Sequence, residues 1–417
     1  MTAVKPLRIA IWHNLPAGGG KRALYLAARY LASQGHTLNT FCPDSAALDA
    51  WPLNEFGSRQ VLPLREVRRA GPFRGQWPAF YDALDRLDTM VAHAHEAAEA
   101  INAGDFDVVF VNPCQYLAVP ALGRLLTKPS VLWLHEPWRW LYECGPAWPW
   151  HAPEYDMAWW SPRFLKRSLE SLMGAQGARI QAREEARNAG AYTRLLANSR
   201  FARESLLRAY GLDAMVCYPA VDATVFRPGE STRERIVLAV GALYPNKRPD
   251  RAIRAVGAIP LESRPKLLWI GHEFGQSYRE ELQTMADSLG VEFEVRPNPG
   301  DAVLVEAMTT AALLICTPHL EPFGLTPLEA NACGTPVVAI AEGGLRETLV
   351  HGDNALLVDH DDPHALATAM RTLLDDPAAA AAMGERGRAR VLAEWQPERR
   401  GRELEGHLLA VTGATRV

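Results

Sequence analysis

Short continuous apolar runs alternate along this chain with stretches whose apolar residues recur at helical spacing. Leu7–His13 is rich in Ile and Leu and predicts a buried strand. The glycine turn Gly18–Gly20 follows, and then Arg22–Ser33 (RALYLAARYLAS) predicts an amphipathic helix that Gly35 stops. Thr37–Cys42, Val108–Val111 and Val131–Leu134 predict further strands. The same grammar returns after about residue 230, with strands at Ile236–Val240, Lys266–Ile270, Leu313–Cys316, Val337–Ile340 and Ala355–Val358. Asp250–Val256, Tyr278–Leu289 and Pro397–Leu409 read as helices of this second series. Continuous apolar strands separated by helices imply parallel sheets covered on both faces, the α/β class. The two series part near Pro219–Pro228. The expectation is two Rossmann-like, doubly wound domains, 1–220 and 221–395, facing across a cleft, with a helix in 396–417 packing back on the first. Ligands of such sheets bind at the carboxyl ends of the strands.

Composition narrows the function. At about 150 residues per domain, 417 residues suggest two or three domains. Apolar residues make up 48% and charged residues 22%, which excludes a disordered chain. The net charge of −4 speaks against a nucleic-acid binder. The charge is uneven: residues 1–218 carry 24 Lys+Arg against 20 Asp+Glu (+4), and 219–417 carry 20 against 28 (−8). The first half is therefore the one expected to meet an anionic partner. Six cysteines without a C-x-x-C pair fit a reducing, cytoplasmic setting. No run reaches the 18 or so apolar residues of a membrane span, and the N-terminus does not read as a signal peptide.

The clearest local chemistry lies in Glu321-Pro-Phe-Gly-Leu-Thr-Pro-Leu-Glu329. Thr326 as N-cap, Pro327 as first helical residue and Glu329 in the third position spell a capped helix start. The backbone N–H groups around Gly324–Thr326 would then face outward as an anion site. Glu321 has no part in that cap.

The two glutamates are spaced as E-x7-E, and the segment resembles that motif in the retaining glycosyltransferases of family 4, which have the GT-B fold. Val240–Lys247 is similar to the family's G-R-L-x-x-x-K strand-loop, and Asn331–Val338 to its E-A-x-A-x-G-x-P-V-V stretch. Gly343–Glu347 matches its G-G-x-x-E turn, and Pro219–Asp222, with Phe226, its interdomain P-x-G-V-D segment. The resemblance covers residues 195–395 closely and the first half more loosely, through the glycine turn and His135.

It implies transfer of a sugar from a nucleoside diphosphate sugar, UDP- or GDP-linked, to a hydroxyl acceptor, with no cofactor and no metal. On this resemblance Glu329 meets the ribose hydroxyls and Glu321 the sugar hydroxyls, Phe323, Gly324, Leu325 and Thr326 hold the diphosphate by their N–H groups, and Lys247 pairs with it. Gly19 and Gly20 approach the donor from the first domain, and His135 stands near the reacting sugar, orienting rather than attacking. Glu136, Trp138 and Arg139 belong to the acceptor side. One residue departs from the pattern: Ala242 stands where the family has a phosphate-binding arginine, and Arg248, adjacent to Lys247, is the candidate substitute. A catalytically silent nucleotide-sugar binder, or a GT-B phosphorylase or epimerase, remains as an alternative. Base preference would rest on segments such as Gly271–Glu273 and Val295–Asn298.

Other patterns carry less. Gly18–Ala23 fits G-x-G-x-x-A with Asp44 downstream, but three residues separate the strand from the first glycine, unlike a dinucleotide fingerprint. Asp105–Asp107 and Asp359–Asp361 are D-x-D spacings at a strand start and before a helix, where aspartate caps. His93 and His95 on one helix point apart and cannot share a metal ion. Seven of the twelve tryptophans fall within Trp133–Trp160, where five prolines at 137, 146, 149, 153 and 162 break any long helix. Such a segment suits an acceptor pocket, a membrane interface beside Arg163, Lys166 and Arg167 and the run Arg59, Arg65, Arg68, Arg69 and Arg74, or plain packing.

Overall fold

A computed structural model of the chain describes residues 6–71, 73–143, 150–152, 154, 156–230, 232–272, 275–296, 300–359 and 361–413. The chain forms two compact units: residues 1–198, 202–218 and 401–417 make the first, and 199–201 with 219–400 the second.

In the first unit the chain runs β1 (Arg8–Asn14), α1 (Gly19–Ser33), β2 (Thr37–Cys42), β3 (Gly57–Val61), α2 (Pro78–Ala103), β4 (Val108–Cys114) and β5 (Ser130–Leu134). It continues through α3 (Arg139–Tyr142), α4 (Pro162–Ala189), β6 (Arg194–Ala197), α5 (Arg200–Tyr210) and β7 (Met215–Val216). The strands pair in parallel in the order β3-β2-β1-β4-β5-β6-β7. β1 and β4 are central and fully buried over Ile9–Trp12 and Val108–Val111, which is why they read as unbroken apolar runs. One face of the sheet packs Trp12, Val109 and Leu132 against α2 residues such as Ala94 and Ile101. The other packs Ile9, Ile11 and Phe110 against Leu24 and Leu31 of α1 and against Leu404 and Leu408 of the last helix.

The second unit runs β8 (Glu234–Val240), α6 (Pro249–Gly257), β9 (Lys266–Ile270), α7 (Gln276–Ser288), β10 (Phe293–Arg296), α8 (Asp301–Thr310) and β11 (Ala311–Cys316). Then come α9 (Leu325–Ala332), β12 (Val337–Ile340), α10 (Leu345–Thr348), β13 (Ala355–Val358), α11 (Pro363–Leu374), α12 (Pro377–Glu394) and α13 (Pro397–Thr412), whose residues from Gly401 onward belong to the first unit. The parallel order is β10-β9-β8-β11-β12-β13.

Within the first unit α13 is tied down by more than its apolar face. The Tyr30 hydroxyl donates to Glu405 at 3.2 Å, and His36 Nε2 lies 3.2 Å from the same carboxylate. Gly401 crosses the Tyr30 ring so closely that a Cβ would lie 2.2 Å from it.

Three expectations need correction. The helix after Glu321 begins at Leu325 with Gly324 as N-cap, so Thr326 does not cap it and Pro327 is not its first residue. Gly324 has φ 98°, which turns the chain into the helix before Thr326 is reached, and a Cβ there would lie 2.6 Å from Leu345. The Trp-rich stretch is not wholly irregular: α3 lies within it and α4 starts at Pro162, capped by Ser161. The cationic run 59–74 is largely neutralised: Arg65 faces Glu96, Arg68 pairs with Glu66, Arg69 with Asp88, and Arg74 with Asp82 and Asp85.

Leu404 is 1% exposed in the α1–α13 core. Leu404→Ala is expected to cost about 2–5 kcal/mol, read as a lower midpoint in chemical denaturation followed by circular dichroism.

Candidate active site

Elements at the carboxyl end of the second sheet build one cavity, lined among others by Lys247, Thr317, Glu321, Gly324 and Thr326. Lys247 ends a short 3-10 turn after β8, and Glu321 sits in the loop between β11 and α9. Residues 74 positions apart thus meet: Lys247 Nζ donates to Glu321 Oε2 at 2.7 Å. Both side chains are largely buried, at 29% and 18% exposure, so the pair is less screened than a surface ion pair.

The Glu321 loop is held from below by backbone. Gly344 N–H donates to Glu321 O at 2.7 Å. A Cβ on Gly343 would lie 2.4 Å from Glu321 O, and one on Gly344 2.2 Å from Pro322 O. The G-G of the G-G-x-x-E turn is therefore required for close approach to the loop. Ser199 Oγ donates to Pro322 O at 2.5 Å. Glu347, which ends that motif, accepts from the N–H groups of Arg200 and Phe201, both at 2.9 Å.

Gly324 and Thr326 face the cavity with Lys247 and Glu321. Phe323 and Glu329, at 3% and 4% exposure, are buried, with Phe323 edge-on to Trp395. Leu325 opens α9. Position 242 carries no cation, and Arg248, the candidate substitute, has its guanidinium on Asp250 through two contacts of 2.9 Å. Of the base-pocket candidates, Glu273, Pro297 and Asn298 lie outside the described residues.

In the first unit, His135 follows β5 directly and turns its ring edge toward the glycine turn. A Cβ on Gly20 would stand 3.6 Å from His135 Cδ2 and 3.7 Å from Nε2. Gly19 and Gly20 form the first turn of α1, which has no side-chain cap. Among the described residues, the buried Nε2 of His135 has no hydrogen-bond partner. Burial drives its pKa down to about 4, so the ring is neutral at pH 7. Arg139 bridges Glu143 at 2.5 Å and Glu136 at 3.7 Å, and Trp138 packs partly buried against the core.

Two further groups escaped the sequence reading. Lys21, within the glycine-rich motif, is 2% exposed and its Nζ lies 3.0 Å from His13 Nε2. Burial lowers the Lys21 pKa to about 8 and holds His13 neutral, so the imidazole accepts from the ammonium. The signal was there: a lysine directly after three glycines at a helix start. Glu342, immediately before the glycine pair, accepts from Leu320 N–H at 3.1 Å and faces His319 Nδ1 at 3.0 Å. It fixes the left-handed Leu320 (φ 49°) next to Glu321. The decoy motifs take structural places: Asp107 braces Arg8, Asp361 pairs with Arg251 at 2.8 Å while the next residue, Asp362, caps α11, and His93 packs beside Trp12. Among the described residues no cluster of three or more His, Cys, Asp or Glu is placed to hold a metal ion.

The depressed His135 pKa carries a pH prediction. Its charged form is favoured only on unfolding, so its contribution is complete above about pH 6.5 and declines as pH falls toward about 4. The His135 resonance is expected not to titrate between pH 8 and about 5 by proton NMR, and His135→Asn is expected to flatten the acid limb of stability over that window.

Residues 17–225 match the family described as Glycosyltransferase Family 4, and residues 221–390 match Glycosyl transferases group 1. A D-inositol 3-phosphate glycosyltransferase of Acidothermus cellulolyticus is 38% identical over 215 residues, covering 46% of this chain and 48% of the relative. One from Kineococcus radiotolerans is 36% identical over 229 residues, covering 47% and 52%. The match to each thus spans about half the relative's length. Among solved structures, sucrose-phosphate synthase from Thermosynechococcus elongatus superposes with a TM-score of 0.71 at 21% identity, over 98% of this chain and all of the other. HepE of Anabaena, solved with UDP and glucose, gives 0.70 at 18% identity over 96% and 99%. With two parallel α/β units, both family matches and these neighbours, the chain belongs to glycosyltransferase family 4 and has the GT-B fold.

Proposed function

We propose that the chain transfers a hexosyl group from a UDP-sugar to a hydroxyl acceptor with retention of anomeric configuration. The observation that carries this reading is the cavity where Lys247 and Glu321 meet beside the first turn of α9. An ammonium and outward N–H groups suit a diphosphate, and a carboxylate 2.7 Å from that ammonium suits sugar hydroxyls. In the free protein the two charges satisfy each other. A diphosphate would draw Lys247 to itself and release Glu321 to accept from the sugar. Glu329 is assigned to the ribose. The uridine preference is supported by the HepE complexes with UDP and with UDP-glucose.

No protein nucleophile is required. The bond from the anomeric carbon to the diphosphate breaks, the acceptor oxygen bonds that carbon on the same face, and its proton passes to a leaving-phosphate oxygen. Lys247 and the α9 N–H groups stabilise the charge that develops on the leaving group. A neutral His135 orients the sugar by a hydrogen bond from its open ring nitrogen, with Gly19 and Gly20 leaving room for the approach. Glu136, Trp138 and Arg139 are assigned to the acceptor side. The reaction needs no metal, and we place it in the cytoplasm, where the thiols of Cys42, Cys114, Cys217, Cys316 and Cys333 stay reduced. Ala242 favours one second reading, a binder without turnover, because the missing arginine removes transition-state charge stabilisation as well as ground-state affinity.

A thermal-shift series with UDP, GDP, ADP, TDP and NAD, each with and without magnesium, tests the donor. A nucleotide at about 100 times its dissociation constant adds roughly 2.7 kcal/mol. The expected outcome is a shift with UDP that magnesium does not alter; a shift with NAD alone overturns the reading. Transfer is then followed by the anomeric proton coupling of the product in NMR. Glu321→Gln and Lys247→Ala are each expected to lower kcat/KM about 10²–10³-fold, while near-normal transfer in both would refute the site. UDP binding without turnover in the unmutated chain would favour the silent binder.

A further inference from the structure

Lys247 and Glu321 sit on separate loops, and beside each stands a residue whose backbone side chains rarely adopt. Arg248, directly after Lys247, has φ 51°, and Leu320, directly before Glu321, has φ 49°. Among the described residues, Trp51 is the one other non-glycine residue in this left-handed region. Outside glycine such a backbone costs energy and persists where the surrounding structure imposes it. Neither position is an asparagine or aspartate, whose side chains ease that conformation.

Here the surroundings are a chain of charged groups with Arg251 at its middle. Arg251 lies in the first turn of α6 and is 6% exposed. Its guanidinium reaches past the ends of three strands. Nη1 donates to Thr317 O, beyond β11, at 3.4 Å and lies 3.6 Å from Glu342 Oε1, beyond β12. Nε lies 2.8 Å from Asp361 Oδ2, beyond β13. On one side Glu342 accepts from Leu320 N–H at 3.1 Å. On the other, Arg248 Nη2 donates to Asp361 at 3.5 Å, and the Thr317 hydroxyl donates to Arg248 O at 3.1 Å. The His319 N–H, donating to Asn246 O at 2.9 Å, joins the two loops directly. Both left-handed residues are thus held by carboxylates that Arg251 itself holds.

Stability alone does not ask for this arrangement. A buried arginine loses its hydration, and apolar residues of similar volume often stabilise a fold as well or better. Arg251, Glu342 and Asp361 are not among the described residues that line the Lys247 cavity, so they reach it through the two loops.

We propose that Arg251 is a positioning residue. Through Glu342 and Asp361 it holds Leu320 and Arg248 left-handed, and so sets the spacing of Lys247 and Glu321 before a ligand arrives. The functional part of this proposal rests on the reading of that cavity as the nucleotide-sugar site. A displacement of about 1 Å in such a pair can cost about 10²-fold, so the hub matters although it touches no ligand.

The test uses the full chain with UDP as the probe in isothermal titration calorimetry, beside amide hydrogen exchange read by mass spectrometry. Arg251→Gln is expected to weaken UDP at least about tenfold and to speed exchange in both 244–248 and 319–321, leaving the first unit unchanged. Glu342 and Asp361, at 22% and 41% exposure, keep water when Arg251 is replaced, so the variant is expected to fold, as circular dichroism and the melting temperature verify. Glu342→Ala is expected to weaken UDP at least about fivefold. Adding Leu320→Gly is expected to restore affinity to within about twofold, because glycine takes the left-handed region unsupported. A general loss of packing would not be repaired that way, since glycine adds freedom to the unfolded chain. Should Arg251→Gln fail to fold, the Glu342→Ala pair decides. Unchanged UDP affinity in folded Arg251→Gln, faster exchange in one loop or neither, or a double variant as weak as Glu342→Ala overturns the proposal. Failure of the site reading shows separately, as a native chain that does not bind UDP or a Lys247→Ala variant that binds it as the native chain does. In that case faster exchange in both loops supports the hub, and exchange in one or neither overturns it.

Discussion

The second unit's site depends on how closely two pieces of backbone can lie together. Glu321, Pro322 and Phe323 rest directly on Gly343 and Gly344, and no side chain fits between them. That contact sets the height of the loop above the sheet. It brings the Glu321 carboxylate to Lys247, and it leaves Gly324 to turn into α9 with a positive φ. Glu342, Ser199 and the Gly344 N–H then pin the loop by hydrogen bonds to its backbone. A carboxylate on a loop would otherwise sample many rotamers, and the entropy of ordering it would fall on ligand binding. Here most of that ordering is done in folding.

The first unit presents different electrostatics. His135 is kept neutral by burial, His13 likewise, and Lys21 is buried against His13 with a depressed pKa. A low-dielectric floor under the glycine turn makes any charge placed there interact strongly. The His135 ring therefore carries no charge at pH 7. Alanine stands at position 242, and the Arg248 guanidinium is held by Asp250.

Much of the fold could be read in the pattern of apolar residues. Thr37–Cys42, Lys266–Ile270, Val337–Ile340 and Ala355–Val358 are strands over the very residues whose apolar runs predicted them, because each is buried or nearly so in a parallel sheet. β3 and β10 gave no such signal: they are edge strands, Gly57–Val61 is polar and exposed, and an edge needs no apolar run. α4 was hidden for a related reason, since its first half faces away from the core and shows no buried periodicity. The motifs carried the family, because E-x7-E, the G-G-x-x-E turn and the lysine loop are local patterns.

What the chain determined alone was the alternation of buried strands with helices and the local motifs between them, since both follow from local periodicity and turn chemistry. Tertiary structure decided the rest. Whether Thr326 or Gly324 starts α9 depended on Leu345 packing over Gly324, a contact across the fold. That Lys247 would rest on Glu321, that Arg248 would be held by Asp250, and that Lys21 would be buried against His13 are matters of three-dimensional distance and desolvation. A linear pattern contains neither quantity, and both arise only when the strands are side by side.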